Sequence, residues 1–376
     1  MLACAFVLLV MPPELAQART SLQLEEGIEL SFADGGIDVR TGSGELHDVE
    51  IREDGVVVIT AEFLSIEAEG AIGTEDWYIR NLLMRNALAP DIGLFINRTE
   101  MRDVAVGGLT GNTPPDGETL VTEESFFRLT NLGLETDGVI ISIDEIRSLP
   151  VRLGELAPGN MIVVDGGISM TRMTIMPLDD MWVSNPVMDK LSERGMNSIV
   201  LDLALLGSID LSGNEMLLDY EFTTDMHDLG TVDLQFGLAI DQNVYQQLLP
   251  LLGTPEENSA AMLGLLGTIA FESGRLVVDD TGLSDILFAL AAEEEGVSTR
   301  QMRNLASMMV GATVASTFPE NGYRLLPPIE AMLQQGGRLT ATAKPGAPVP
   351  LSSAVGFAMV PDLAISQLGV DLIHQP

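Results

Sequence analysis

The chain has 376 residues, of which 55 are acidic and 19 are basic, so its formal net charge at neutral pH is −36. Nucleic-acid binding requires clustered cations, and electrostatic attachment to anionic lipid requires a basic surface, so this composition argues against both classes. The length is sufficient for two domains or for one elongated body with a large core.

The first 18 residues have the pattern of a secretory signal peptide. Leu2 to Met11 is uninterrupted apolar sequence, and Ala16-Gln17-Ala18 fits the small-residue cleavage site. No lysine or arginine precedes the apolar run, and a true start further upstream would explain this. The alternative to a signal peptide is a buried first strand or helix. The run is shorter than the 20 or so apolar residues of a membrane span. We therefore expect an exported, periplasmic protein whose mature chain begins near Arg19.

Cys4 is the only cysteine and lies inside this predicted signal. The mature chain would then contain no thiol, no disulfide and no cysteine-based metal site. A lipoprotein anchor at Cys4 is not expected, because no apolar run precedes it. We expect the core alone to stabilise the folded protein.

Residues 46–66 and 129–149 read as two copies of one β-hairpin and align without a gap. The first copy has Asp54-Gly55 between its two apolar runs, and the second has Asp137-Gly138 at the same place. Asp-Gly suits a two-residue turn, because both central residues of that turn need positive φ. This repetition predicts a β-repeat scaffold.

A six-residue pattern opens each hairpin: apolar, any, Asp or Asn, Leu or Val, any, apolar. Its copies begin at Leu46, Ile79, Met101 and Leu129 and, less well, at Met226. In a regular strand the first position would face away from the fourth and sixth, because side chains alternate. An extra residue at the Asp or Asn would bring all three apolar groups to one face. Since Asp and Asn tolerate left-handed backbone, we expect a β-bulge or tight bend there.

The predicted fold class is α+β. Residues 19–240 form a β-rich repeat part, because short apolar runs alternate there with Asp-Gly, Gly-Gly and Gly-Asn turns, which favours antiparallel hairpins in an elongated, twisted sheet. Residues 241–376 form a helix-rich part, in which capping patterns predict helices beginning at Thr254, Ser284 and Ser298. A few strands return in this part, and they are predicted at Arg275–Asp279, Arg338–Ala343 and Val370–Ile373.

No motif identifies catalysis or metal binding. His47 and His227 occupy the second position of the six-residue pattern, where other copies have Arg or Thr, so we expect a solvated strand face. A general base needs a positioned partner, and the sequence indicates none. Nucleophile-elbow, zincin and P-loop motifs are absent, and the acidic runs lack the spacing of a calcium loop. We predict no catalytic residue, no metal ligand and no cofactor.

Methionine is frequent, with 19 residues against 12 phenylalanines. Methionine fills irregular gaps in cores and adapts to varied apolar partners. Core packing is the favoured interpretation, and a soft apolar surface for lipid-like cargo is the alternative. The helices that carry these residues are expected to cover the apolar face of the sheet. The residues assigned to a cargo surface are Leu263, Leu266, Met308 and Met309.

The six-residue pattern resembles the strands of AsmA-like β-rich envelope proteins of Gram-negative bacteria. The resemblance rests on Leu46–Ile51, Met101–Val106 and Leu129–Leu134 and covers residues 21–240. It departs from that group in the helix-rich final third and in the absence of a membrane anchor after the signal. The resemblance implies a role in envelope lipid homeostasis or transfer. The layout is also similar to exported proteins with no assigned activity.

Two classes of function stay open. The first is a non-enzymatic periplasmic or cell-envelope protein that binds or shields lipid-like cargo or acts as a scaffold, with lipid or another envelope protein as its partner. The second is an exported hydrolase with an unrecognised active site. A long apolar groove would favour the first class. A deep polar cleft that holds His47 or His227 with a carboxylate and a hydroxyl would favour the second.

Overall fold

The computed structural model describes residues 21–25, 28–38, 40–41, 43–69, 78–105, 121–136, 138–157, 160–178, 186–213, 215–252, 264–265 and 267–376. The predicted signal segment, Cys4 and the predicted cap at Thr254 lie outside these residues. The described residues form an α+β protein in which antiparallel strands predominate. The chain divides into two compact units, Met1–Leu178 and Asp179–Pro376.

The first unit is a sheet of ten described strands. They are β1 (Ser21–Glu25), β2 (Ile28–Ser31), β3 (Asp34–Asp38), β4 (Ser43–Glu53), β5 (Val56–Glu69), β6 (Tyr78–Ala89), β7 (Leu94–Ala105), β8 (Val121–Thr136), β9 (Val139–Ala157) and β10 (Asn160–Pro177). From β4 to β10 each strand pairs antiparallel with the next. β2 and β3 pair with β4, and β1 pairs with β2.

The first repeated hairpin has the predicted turn. Asp54 and Gly55 have φ of 50° and 81°, and Glu53 pairs with Val56, so both turn residues adopt the positive φ that Asp-Gly favours. In the second hairpin Thr136 pairs with Val139 and Gly138 has φ of 82°. Asp137 lies outside the described residues. The prediction is confirmed for the first turn and for the described part of the second.

Four residues with left-handed backbone lie in one row across alternate strands of this sheet. This left-handed row consists of Asp48, Asn86, Asn131 and Arg172, with φ of 49°, 50°, 50° and 50°. The pairs of the strand register skip each of these four residues. Around Asp48, for example, His47 pairs with Phe63 and Val49 with Ala61. The row therefore marks an irregular line across the sheet from β4 to β10.

The expected bend at the Asp or Asn of the six-residue pattern is confirmed in four of its five copies. Besides Asp48 and Asn131, Asp103 and Asp228 have φ of 47° and 63°. The prediction was wrong for the copy that begins at Ile79, where the bend was expected at Asn81. The irregularity falls at Arg80 instead, because the pairing of β5 with β6 skips that residue. The pattern was also too narrow, since Asn86 is followed by Ala, and Arg172, which stands in place of the Asp or Asn, is followed by Met. The copies that contain these two residues are Met84–Ala89 and Met170–Ile175.

The bends keep the apolar side chains on one face, as expected. Leu46, Val49 and Ile51 are all buried, and Leu46 is only 1% exposed. One row of this face runs across seven strands, and its members are Val49, Ala61, Ala87, Ile96, Leu132, Ile143 and Met173. The face is mainly buried from β4 to β6 but only half-buried from β8 to β10.

The second unit has a sheet of seven described strands and seven described helices. They are, in order, α1 (Pro186–Glu193), β11 (Ile199–Asp210), β12 (Glu215–Met226), β13 (Gly230–Asp241), α2 (Gln242–Leu252), β14 (Ala270–Asp280), α3 (Leu283–Glu294), α4 (Thr299–Thr317), α5 (Gly322–Gln335), β15 (Gly337–Ala343), β16 (Val349–Pro350), α6 (Ala354–Met359), α7 (Pro361–Gln367) and β17 (Val370–Gln375). The antiparallel order is β11, β12, β13, β14, β15, β17, and β16 pairs with one end of β14.

The change from strands to helices near residue 240 lies inside this second unit. β11 pairs with β12, β12 with β13 and β13 with β14, so strands on both sides of the predicted division belong to one sheet. The boundary between the two compact units falls between Leu178 and Asp179. Local periodicity shows where secondary structure changes, but it does not show which distant strands share hydrogen bonds. The three returning strands are confirmed as β14, β15 and β17.

One of the two predicted helix caps in the described residues is confirmed. The Gln301 N–H donates to Ser298 Oγ at 3.3 Å, and the Ser298 N–H donates to Gln301 Oε1 at 2.9 Å, which is a capping box. The cap at Ser284 was wrong, because α3 already begins at Leu283. Asp280 Oδ1 accepts the Ser284 N–H there at 3.0 Å.

Arg303 on α4 connects three helices. It is 8% exposed and donates to Asp285 Oδ1 at 2.6 Å and to Ser284 Oγ at 3.2 Å on α3. It also donates to the Leu333 carbonyl on α5. Its guanidinium lies 4.6 Å from the centre of the Phe288 ring. Within the part of the chain that the structure describes, no helix is both long enough and apolar enough to span a bilayer.

Candidate functional site: an open apolar sheet face

Four large apolar side chains lie side by side on one face of the second unit's sheet. Leu205 on β11 pairs with Phe222 on β12, Phe222 with Leu234 on β13, and Leu234 with Leu276 on β14. We call these four residues the apolar row. Each is between 37% and 45% exposed. Because neighbouring strands lie about 4.8 Å apart, the apolar row spans about 14 Å.

Further apolar residues extend this face on both sides of the apolar row. Side chains two positions along each strand share a face, so the registered neighbours of the row belong to the same surface. Tyr220 and Phe236 stack there with ring centres 5.2 Å apart. The remaining neighbours are small or aliphatic, and they include Leu203, Val232, Val278, Leu339, Gly207, Gly274, Ala343 and Val370.

Helix α2 packs near one end of this face. α2 follows β13 directly and contacts it, and Leu248 on α2 is buried. Burial raises the pKa of the Tyr245 hydroxyl on α2, and the neighbouring Tyr220 raises it further. Tyr245 therefore lies near Tyr220, at the end of the face beyond the apolar row. The row itself stays open to solvent.

The opposite face of the same sheet is mainly polar. Arg275 pairs with Asp233 at 3.3 Å, and Arg338 pairs with Asp279 at 2.5 Å. This polar face also has exposed apolar residues, and they include Leu206 at 36%, Leu217 at 37% and Ile373 at 52% exposed. The two faces of the sheet thus differ in chemistry. The exposed apolar row is a feature of one face and does not reflect a surface that is apolar throughout.

The first unit has a similar division between an apolar and a polar face. Its apolar face is half-buried on β8 to β10. The polar face has an open cavity of about 630 Å³. Its two arginines are each ion-paired with an acid, Arg128 with Glu145 at 2.7 Å and Arg98 with Glu100. This pairing indicates a mutually neutralised strand surface, and we assign no ligand to the cavity.

Met308 and Met309 are 72% and 71% exposed on α4. Core packing, the favoured interpretation of methionine, is therefore wrong for these two residues, and they do not cover the apolar face of a sheet. Leu263 and Leu266 lie outside the described residues. The open apolar row was missed by sequence reasoning, although the apolar–polar alternation in Leu201-Asp202-Leu203 is the signal that could have indicated a strand with one apolar face.

His47 and His227 have different surroundings. His47 is exposed and packs against Phe63 with ring centres 5.1 Å apart, as expected for a solvated strand face. His227 differs from the expectation in two ways: it lies in the turn after β12, and its Nε2 has a positioned partner, Asp202 Oδ2, at 2.9 Å. The partner is on an adjacent strand, which the sequence does not indicate. Both side chains are about one-third exposed, so this pair lies at the surface and not in a deep cleft.

Residues 223–375 match a protein family whose description is "Uncharacterized protein". The matched segment begins within β12 and ends within β17, so it includes most of the second unit's sheet and helices α2 to α7. No curated protein matches the chain at a significant level. The family description assigns no activity to the matched segment.

Proposed function

We propose that this is a non-enzymatic periplasmic or cell-envelope protein that binds lipid-like apolar cargo. The observation that carries the proposal is the apolar row, in which Leu205, Phe222, Leu234 and Leu276 stand side by side and partly exposed. Contiguous exposed apolar surface on a soluble protein marks a site of interaction with a ligand, a membrane or another protein.

An acyl chain fits the chemistry of this face better than a polar ligand does. The face has aliphatic and aromatic side chains, and the backbone groups between them are paired within the sheet. Each CH₂ group that the cargo buried there would contribute about 0.8 kcal/mol. The net charge of −36 argues against attraction to anionic lipid headgroups, so we expect the apolar part of the cargo to supply the binding free energy. The resemblance to AsmA-like envelope proteins supports this class of cargo.

The first test is lipid extraction from protein purified under native conditions from the periplasmic fraction, followed by mass spectrometry. We expect co-purifying lipid and a mature N-terminus near Arg19, as the Ala16-Gln17-Ala18 site predicts. Intact Met1 on cytosolic protein would contradict the export proposal. Clean protein without extractable lipid would leave the scaffold interpretation.

The second test uses two adjacent leucines that point to opposite faces of β11. Leu205→Asn changes the apolar row, whereas Leu206→Asn changes a similarly exposed residue on the polar face. We expect Leu205→Asn to weaken the binding of a fluorescent fatty acid about tenfold, because burial of a leucine side chain contributes about 1.5–3 kcal/mol. Leu206→Asn should bind as the unaltered protein does. Equal effects of the two changes would contradict binding at the apolar row.

An exported hydrolase is the second candidate, and the His227–Asp202 pair is the observation that favours it. A histidine oriented by a carboxylate is the arrangement of a general base. If this pair acts in hydrolysis, His227→Gln should abolish the cleavage of acyl esters by the full-length protein. Cleavage that His227→Gln retains would contradict this candidate. Absence of cleavage by the unaltered protein would contradict it as well.

A further inference from the structure

Three side chains that can bind a metal ion meet at one end of the second unit's sheet. Asp202 on β11 and Asp225 on β12 are directly opposite in the strand register. His227 lies in the turn that follows β12. One ligand atom from each of the three side chains lies within 4.8 Å of the other two. We call these three residues the aspartate–histidine cluster.

The strand register brings two negative charges together in this cluster. Like charges directly opposite on neighbouring strands are destabilising. The same row of the sheet continues through Thr231 to Asp279, and there the acid is paired with Arg338 at 2.5 Å. At the other end of the row, the neighbouring group is the imidazole of His227. A divalent cation held between the two carboxylates and the imidazole would offset the repulsion between Asp202 and Asp225.

We propose that the aspartate–histidine cluster binds a divalent transition-metal ion, specifically Zn²⁺, through His227 Nε2 and one carboxylate oxygen each of Asp202 and Asp225. Imidazole nitrogen and carboxylate oxygen are both Zn²⁺ ligands, and three protein ligands with a water molecule complete a tetrahedral site. Ca²⁺ instead takes six to eight oxygen ligands and gains little from an imidazole. The nitrogen donor distinguishes this cluster from the other acidic groups of the surface.

The backbone holds the ligands close to the geometry that Zn²⁺ requires. His227 Nε2 and Asp202 Oδ2 are already 2.9 Å apart. The His227 N–H donates to the Val200 carbonyl at 2.9 Å, which ties the turn to β11. Leu229, at the end of the turn, is buried against Met188, Leu191 and Ile286. Asp225 is exposed, so rotation of its side chain can bring a carboxylate oxygen to the ion.

Metal binding at this cluster should stabilise the docking of two helices. The Leu229 carbonyl accepts the N–H groups of Thr281 and Leu283, both at 3.1 Å, at the start of α3. Met188 and Leu191, which contact Leu229, belong to α1. An ion that joined β11, β12 and this turn would stabilise the position of both helices. Since the ligand binds the folded state, we expect Zn²⁺ to raise the melting temperature.

The experiment uses the fact that the chain has three histidines. Full-length protein, freed of metal with a chelator and kept in high salt, is titrated with zinc chloride while the imidazole signals are followed by NMR. We expect one equivalent to bind and the His227 signals alone to shift. His47, packed on Phe63, and His374, whose Nε2 lies 2.7 Å from the Gly336 carbonyl, serve as internal controls.

Matched variants separate this site from unspecific binding to carboxylates. Asp225→Asn and His227→Gln should each weaken Zn²⁺ binding at least tenfold and remove the rise in melting temperature. Asp219→Asn changes an exposed aspartate on the same strand and face as Asp225. It should leave both the Zn²⁺ affinity and the rise in melting temperature unchanged. If His227→Gln fails to fold, the exposed Asp225→Asn still decides the question.

Three results would overturn the proposal. The first is a similar shift of all three histidines. The second is wild-type affinity in Asp225→Asn. The third is equal competition by calcium chloride, which would indicate an unspecific acidic surface. None of these outcomes bears on lipid binding, because the cluster lies on the face opposite to the apolar row.

Discussion

Asparagine and aspartate direct the first unit's sheet through their backbone conformation. Asp48, Asn86 and Asn131 adopt left-handed φ, which their short polar side chains tolerate and β-branched residues do not. Each interrupts the alternation of its strand without a shift of register, so apolar side chains on both sides of the bend stay on one face. The buried face of β4, with Leu46, Val49 and Ile51, results from one such residue.

Replacement of Asn131 tests this role. Asn131→Val should lower the free energy of unfolding by about 1–2 kcal/mol, because a β-branched side chain clashes with the backbone at φ of 50°. Asn131→Gly should be nearly neutral, because glycine adopts positive φ without that clash. Urea unfolding of the two variants measures the difference.

Thr130→Val is the matched control. Thr130 precedes Asn131 in β8 and pairs regularly with Arg98 on β7 and with Glu145 on β9. Thr130→Val should change the free energy of unfolding by less than Asn131→Val does. If all three variants were equally stable, the backbone conformation at Asn131 would not be a source of specificity.

At the scale of elements, one side chain holds α3, α4 and α5 together. The Arg303 guanidinium is buried, and its planar fork bonds to Asp285, Ser284 and the Leu333 carbonyl simultaneously. A lysine ammonium is a point charge and cannot reproduce this set of contacts. The helical layer that follows β14 therefore depends on one arginine as well as on apolar packing.

We expect Arg303→Lys to lower the free energy of unfolding by about 1–3 kcal/mol, the range for removal of hydrogen bonds to a charged group. Arg300→Lys, an exposed change one turn earlier on α4, should have almost no effect. Thermal melting gives the stability. Hydrogen exchange over α3 and α5 shows whether those helices open first, and unchanged exchange in Arg303→Lys would contradict the linking role.

For the whole molecule, the dominant electrostatic property is self-repulsion. The 55 acidic residues outnumber the 19 basic residues by 36, so ion pairs can offset only a minority of the negative charges. Salt screens such repulsion over a Debye length of about 10 Å at 0.1 M ionic strength. We expect the melting temperature to be higher in half-molar NaCl than in dilute buffer. A flat or falling trend would show that the acidic groups are already compensated locally.

The amino-acid sequence by itself determined the local features of this protein. Asp54-Gly55 specifies a turn with positive φ, Asp48 and Asn131 specify bends, and Ser298 with Gln301 specifies a helix start. Each of these depends on residues within a few positions of one another, so hydrogen bonding and steric repulsion between near neighbours are sufficient to set them. The α+β class followed from the same local periodicities.

Tertiary structure alone decided which distant residues meet. The apolar row joins Leu205, Phe222, Leu234 and Leu276 through the register of four strands. The aspartate–histidine cluster joins Asp202 to Asp225 and His227 through the same pairing. Register and sheet order depend on long-range hydrogen bonds and on burial of a whole face, and a one-residue slip would exchange the two faces. Both proposed sites are therefore products of strand pairing, which no short segment of this chain specifies.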